Sequence, residues 1–144
     1  DRFPGGETTA RPAVDRIEGR IIRSASRKID LARFMRPAQN TVGYALAWVY
    51  APDDRDGLLG LLSDDGIAVW VNGQEVWRND VSRFVTDDAT DIDVPKIRLA
   101  KGWNTLLVKV SQTLGEWTFK ARVRTADGSV MRDIQVRATP PEDN

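Results

Sequence analysis

Asn72-Gly73 is the strongest local constraint in this chain. It sits between Ile67-Ala68-Val69-Trp70-Val71 and Gln74-Glu75-Val76-Trp77, two runs rich in β-branched and aromatic residues. A two-residue hairpin of type I′ needs positive φ at both central positions, and Asn followed by Gly adopts that conformation at least cost. A loop this short also sets the register. It predicts Val71 opposite Gln74, Trp70 opposite Glu75, Val69 opposite Val76 and Ala68 opposite Trp77. One face then carries Ile67, Val69, Val71 and Val76 and reads as core. The other carries Ala68, Trp70, Glu75 and Trp77, with the two indoles at diagonal positions within reach of each other. Asp64-Asp65-Gly66 in front is a turn that feeds the strand.

A two-stranded ribbon is not stable alone, and the flanking sequence supplies partners. Asn40 opens a strand in which Tyr44, Leu46, Trp48 and Tyr50 point one way and Ala45, Ala47 and Val49 the other. Both sets are apolar, so the strand is expected to be central. Ala51 to Gly57 is a turn, and Leu58-Leu59-Gly60-Leu61-Leu62 is a short buried strand. Asp80 to Asp91 is a polar loop anchored by Phe84 and Val85. Ile92 to Leu99 is extended but broken by Pro95, which suits an edge. Trp103 to Val110 is a strand with Leu106, Val108 and Val110 inward. Trp117 to Arg124 alternates most cleanly: Trp117, Phe119, Ala121 and Val123 form one face, and Thr118, Lys120, Arg122 and Arg124 the other, as in a half-solvated antiparallel strand. Val130 to Val136 adds a last strand, and Ile17 to Arg23 a weak first one. One helical turn, capped at Asp30, is expected within Ile29 to Met35. About eight strands with frequent turn signals predict an all-β, two-sheet antiparallel sandwich of the jelly-roll kind. Residues 1–15 read as a linker or extended arm, 16–138 as the sandwich and 139–144 as a tail.

Composition narrows the chemistry. The 144 residues contain no Cys and no His. Disulfides, cysteine nucleophiles and the commonest metal ligands are therefore excluded. Lys plus Arg equals Asp plus Glu at 21 each, so the basic excess of a nucleic-acid binder is missing. Residues 1–36 are the exception, with nine basic and five acidic side chains. Arg16, Arg20, Arg23, Arg27, Lys28, Arg33 and Arg36 could meet an acidic glycan, but they better suit a charge-protected edge strand. No run of about twenty apolar residues is present, so no membrane span is expected. The chain begins with Asp1, which suits a processed protein or a module of a longer one.

The order of motifs adds a resemblance. V-W-V-N-G-x-x-V within Asp64 to Val76, V-P-x-x-L-A-K-G-W-N-T-L-L-V-K-V over Val94 to Val110, and W-x-F-x-A-R-V over Trp117 to Val123 together resemble the galactose-binding-like jelly-roll sandwiches. These occur as carbohydrate-binding modules and as the sugar-binding domain of family 2 glycoside hydrolases. The resemblance spans roughly Asn40 to Arg124. It implies a non-catalytic, carbohydrate-binding accessory module of a secreted, extracellular or periplasmic protein, whose partners are a polysaccharide and a neighbouring domain. The alternative is a structural or protein-interaction sandwich beside a catalytic domain. Because the matching motifs are turns and core strands, they carry no ligand residues with them.

Candidate sites follow from residue chemistry. Indoles stack on the apolar C–H faces of sugars while polar neighbours bond the hydroxyls. Trp70 and Trp77, followed by Arg78, Asn79 and Asp80, form the expected platform, unless both indoles are core. The carboxylates Asp87, Asp88 and Asp91, with Asp93 nearby, and the set Asp53, Asp54 and Asp56 suit turns, or a structural calcium ion as cofactor. No pair of carboxylates stands out for glycoside hydrolysis, and a Ser nucleophile would lack a His base, so an enzyme is not expected.

Overall fold

The computed structural model describes residues 20–22, 28–35, 39–83, 91–113 and 115–142. Nine strands run through them: β1 (Ile29–Asp30), β2 (Thr41–Ala51), β3 (Arg55–Asp64), β4 (Ile67–Val71), β5 (Gln74–Asn79), β6 (Lys96–Leu99), β7 (Gly102–Gln112), β8 (Thr118–Thr125) and β9 (Gln135–Arg137). A single 3₁₀ turn, Leu31–Arg33, follows β1, and Asp30 caps it by accepting from the Ala32 amide at 3.1 Å. The only helical turn among the described residues thus lies where the sequence places it.

Two antiparallel sheets face each other. One has the order β1-β8-β3-β6, the other β5-β4-β7-β2-β9. Apart from β9, added beside β2, this is the strand order of a jelly roll. Except at the β4–β5 hairpin, each strand lies in the opposite sheet from the strand before it. Neither sheet covers its own inner face, so each depends on the other for its core. Between them lie Val49, Leu59, Leu61, Ile67, Val69, Leu99, Val108, Val110, Trp117 and Phe119. As the alternation predicts, Leu106, Val108 and Val110 of β7 and Trp117, Phe119, Ala121 and Val123 belong to this core.

The hairpin turn forms as expected, with Asn72 at φ 51° and Gly73 at φ 80°. Its tip is also docked. The Asn72 amide donates to the Thr105 carbonyl at 3.0 Å. Asn72 Oδ1 accepts from the Thr105 amide at 2.9 Å, and Asn72 Nδ2 donates to Asn104 Oδ1 at 2.7 Å. Asn104 is itself buried and donates to the Val49, Ala100 and Gly102 carbonyls.

The register departs from expectation after two pairs. Val71 opposes Gln74 and Trp70 opposes Glu75, but Val69 opposes Trp77 and Ala68 opposes Arg78. Val76 is the extra residue of a β-bulge, which moves every later side chain of β5 to the other face. Other differences concern strand ends. Pairing of Arg55 and Asp56 with Leu99 and Arg98 starts β3 three residues before Leu58. The last strand shrinks to Gln135–Arg137, with Val130 making an isolated bridge to Arg124. Arg20 to Ile22 form no strand, and the rest of the expected first strand lies outside the described residues, as do Phe84 and Val85. The polar face of β8 is not half-solvated, because Thr118 and Lys120 are buried.

Candidate functional site

The outward face of the five-stranded sheet is built from alternate residues of four strands. Tyr44, Leu46, Trp48 and Tyr50 of β2 stand opposite Lys109, Leu107, Thr105 and Trp103 of β7. On the far side of β7, Ala68 and Trp70 of β4 oppose Lys109 and Leu107. Beyond β2, Gln135 and Arg137 of β9 oppose Tyr50 and Trp48. Because a strand turns every second side chain outward, the run Tyr44-Leu46-Trp48-Tyr50 becomes one aromatic strip. Cations border it: Arg78 lies over the Trp70 ring at 5.7 Å, Lys109 over Tyr44 at 5.6 Å and Arg137 over Trp103 at 5.7 Å.

Access differs along the strip. Trp70 and Trp48 are only 4% and 7% exposed, although both point away from the main core. Tyr50 and Trp103 are half-buried and meet edge to face, with ring centroids 5.3 Å apart at 63°. Beside them Gln135 and Arg137 are exposed. This end of the sheet therefore offers two partly accessible rings with exposed amide and guanidinium donors adjacent.

The expected platform at the hairpin does not form. The bulge at Val76 turns Trp77 inward, where it packs against the main core, while Trp70 remains on the outer face beneath Arg78. Arg78 also donates to Glu75 at 2.6 Å, with exposed Asp80 3.9 Å away. Asn79 donates to Asp93 at 3.1 Å. The five residues thus divide between two faces and do not share a site. The choice between platform and core could not be made from Asn72-Gly73, because one inserted residue inverts the parity of all that follows.

The acidic clusters are also spent. Asp91 has its carboxylate above Gly60 on the outer face of the four-stranded sheet, so close that a Cβ there would collide with Oδ2. Arg124 donates to Oδ2 from Nε and a terminal nitrogen at 3.0 and 2.7 Å. Arg122 donates to Oδ1 at 3.1 Å, and Lys120 Nζ lies 3.6 Å away. Burial pushes the Asp91 carboxyl pKa up, but the two arginines outweigh it and hold it below the usual value. A carboxylate ringed by three cations is no ligand for calcium; Asp87 and Asp88 lie outside the described residues. In the other set, Asp53 bonds Arg55, Asp54 accepts from the Lys101 amide and Asp56 pairs with Arg98. Among the described residues no three His, Cys, Asp or Glu side chains are placed to hold a metal ion.

A second polar network closes the end of the sandwich near the Asp64-Asp65-Gly66 turn. Buried Asp65 accepts from the Arg83 and Thr113 amides at 3.0 Å each. The Arg83 guanidinium donates to the Ser63 carbonyl, the Ser63 hydroxyl and Asp93. These contacts pin the segments before and after residues 84–90 to the β3–β4 turn.

No family model matches this chain, and no curated protein or solved structure matches it either. Among the described residues no helix is long and apolar enough to cross a membrane. Of the basic leader, Arg20, Lys28 and Arg33 are described, and Lys28 lies 3.9 Å from Glu116. The outward set of β2 is visible in the sequence alternation, where two apolar faces mark a central strand before they mark a site. Nothing in the expected last strand, Val130 to Val136, singles out Gln135 or the adjacent Arg137 as site residues.

Proposed function

We propose that this jelly-roll domain is a non-catalytic glycan-binding module, an accessory part of a larger secreted or cell-surface protein. The observation that carries the reading is the half-buried Tyr50–Trp103 pair on the outward sheet face, beside exposed Arg137 and Gln135. An indole and a phenol at that level of exposure give a sugar ring an apolar surface. The amide and guanidinium supply directional bonds to hydroxyls, the usual division of labour in a binding site. The resemblance to galactose-binding-like sandwiches points the same way.

The test is a fluorescence titration of the domain with neutral soluble polysaccharides, including xylan, mixed-linkage β-glucan and galactomannan. Saturable quenching by at least one is expected, with affinity falling at least tenfold in Trp103→Ala and little change in melting temperature. Absence of binding across the panel, or unchanged affinity in Trp103→Ala, would sink the proposal. A second reading, a packing domain beside a catalytic one, draws on the same face: half-buried Tyr44 and Leu46 continue the apolar strip beyond the rings a sugar would need.

A further inference from the structure

Among the described residues four strands end the two sheets, and three of them are blunted against further pairing. β1 and β9 are two and three residues long, and β5 carries the bulge at Val76. The fourth, β6, closes the four-stranded sheet beside β3. Its extended course begins before Lys96: Asp93 bridges Leu61, and the Pro95 carbonyl accepts from the Leu59 amide at 3.0 Å. From Ile92 to Leu99 exposed and buried residues alternate without a break. Main-chain groups alternate in the same way along an antiparallel strand. Asp93, Pro95, Ile97 and Leu99 turn theirs toward β3. Val94, Lys96 and Arg98 therefore turn theirs to the open side, where they meet no partner among the described residues. Pro95 does not close this edge. A proline in an edge strand ordinarily has its missing N–H toward solvent; here that position faces β3, so the open side loses no donor. The side chains of the same residues decide what fits. Ile92 and Val94 are 56% and 46% exposed. Lys96 is exposed and has no carboxylate partner among the described residues. Arg98 gives one terminal nitrogen to Asp56 at 3.0 Å and keeps further donors on its guanidinium. A second copy of this edge matches badly, because the fully overlapped antiparallel pairing sets Lys96 against its own copy, and like charges directly opposite destabilise a ladder.

We propose that the open edge of β6 takes an extended, acidic segment of a partner protein as an added antiparallel strand. Two carboxylate residues, two positions apart, face Arg98 and Lys96, and an apolar residue two positions further on faces Val94. These three partner residues exchange main-chain hydrogen bonds with Arg98, Lys96 and Val94, which supply affinity, while the side-chain pairs supply selectivity. The edge belongs to the opposite sheet from the Tyr50–Trp103 pair and is independent of glycan binding there.

The test is a titration of the ¹⁵N-labelled domain with the peptide acetyl-Thr-Glu-Thr-Glu-Thr-Val-Thr-amide at constant ionic strength, since screening alone alters such binding. Saturable shifts at millimolar peptide are expected in the amides of Val94, Lys96 and Arg98, with slower hydrogen exchange at the same three. N-methylation of the second Glu, the one facing Lys96, should abolish binding. N-methylation of the Thr before it, whose N–H points away from β6, should not. Lys96→Glu, in a domain whose spectrum shows it folded, should weaken binding about fivefold or more, and Lys in place of the second Glu of the peptide should restore it. Absence of saturable shifts in the unsubstituted domain, equal affinity of the two N-methylated peptides, or unchanged affinity in Lys96→Glu overturns the proposal. Shifts of the same amides with domain concentration alone, without peptide, identify a second copy as the occupant and overturn it as well.

Discussion

Asp91 gives up its proton more readily than an ordinary aspartate despite being buried, and that has a direction in pH. Its carboxyl is held below the usual value by Arg124 and Arg122 against the opposing pull of burial. Over the window between its folded and unfolded pKa the unfolded chain binds more protons, so stability rises with pH there. The contribution is present in full above about pH 4–5, near the unfolded value, and is lost as pH falls through the lower folded value. Exposed Asp53, Asp133 and Asp127 are depressed too, the last to about 2 by bonds from Thr125 and Ser129, and they act in the same direction. Urea midpoints are therefore expected to be flat from pH 5 to 8 and to drop below pH 4, with a shallower drop in Asp91→Asn. Gly60→Ala tests the same contact sterically. Its Cβ would meet the Asp91 carboxylate, so about 1–3 kcal/mol of stability should be lost in chemical denaturation, as for overpacked interiors. Asn104→Ala should cost about 1–3 kcal/mol, because it strands the carbonyls and the Asn72 amide group that Asn104 satisfies.

At the scale of single strands, β5 shows where reading by periodicity stops. Alternation is a local property, so β2, β7 and β8 and their inward residues were legible, and Asn72-Gly73 announced its own turn. A bulge is not local in that sense. Both parities of β5 place an indole somewhere plausible, and only the three-dimensional core, which accepts Val76 and Trp77 together, decides between them. For the same reason the Asp91 cluster could not be foreseen: its partners lie 31 and 33 residues away across a sheet contact. Gly60 inside a leucine run was the one hint, since glycine within a strand often marks a close approach. The inward position of Trp77 predicts about 3 kcal/mol or more of destabilisation in Trp77→Ala, measured by thermal melts, with glycan affinity unchanged. An undiminished melting temperature would restore the unbulged register.

Taken whole, the molecule is made of contacts distant in sequence. β2 pairs with β7 over eleven positions, and β3 with β8 over eight. Closing such loops comes before any gain from pairing, so refolding from urea is expected on the millisecond-to-second scale of β-sandwiches rather than in microseconds. Stopped-flow fluorescence of the buried Trp117 would measure it. The place of β8, between β1 and β3, carries a further consequence for synthesis. A nascent chain emerges from the ribosome in sequence order, and β1 and β3 have no direct pairing with each other. Until residues 118–125 leave the exit tunnel, the four-stranded layer is only the β3–β6 pair, and Leu59 and Leu61 lack the Val123 and Ala121 pairing that completes their side of the core. Until then residues 29–112 present apolar strand sequence whose second layer is incomplete, and they wait on β8 for it.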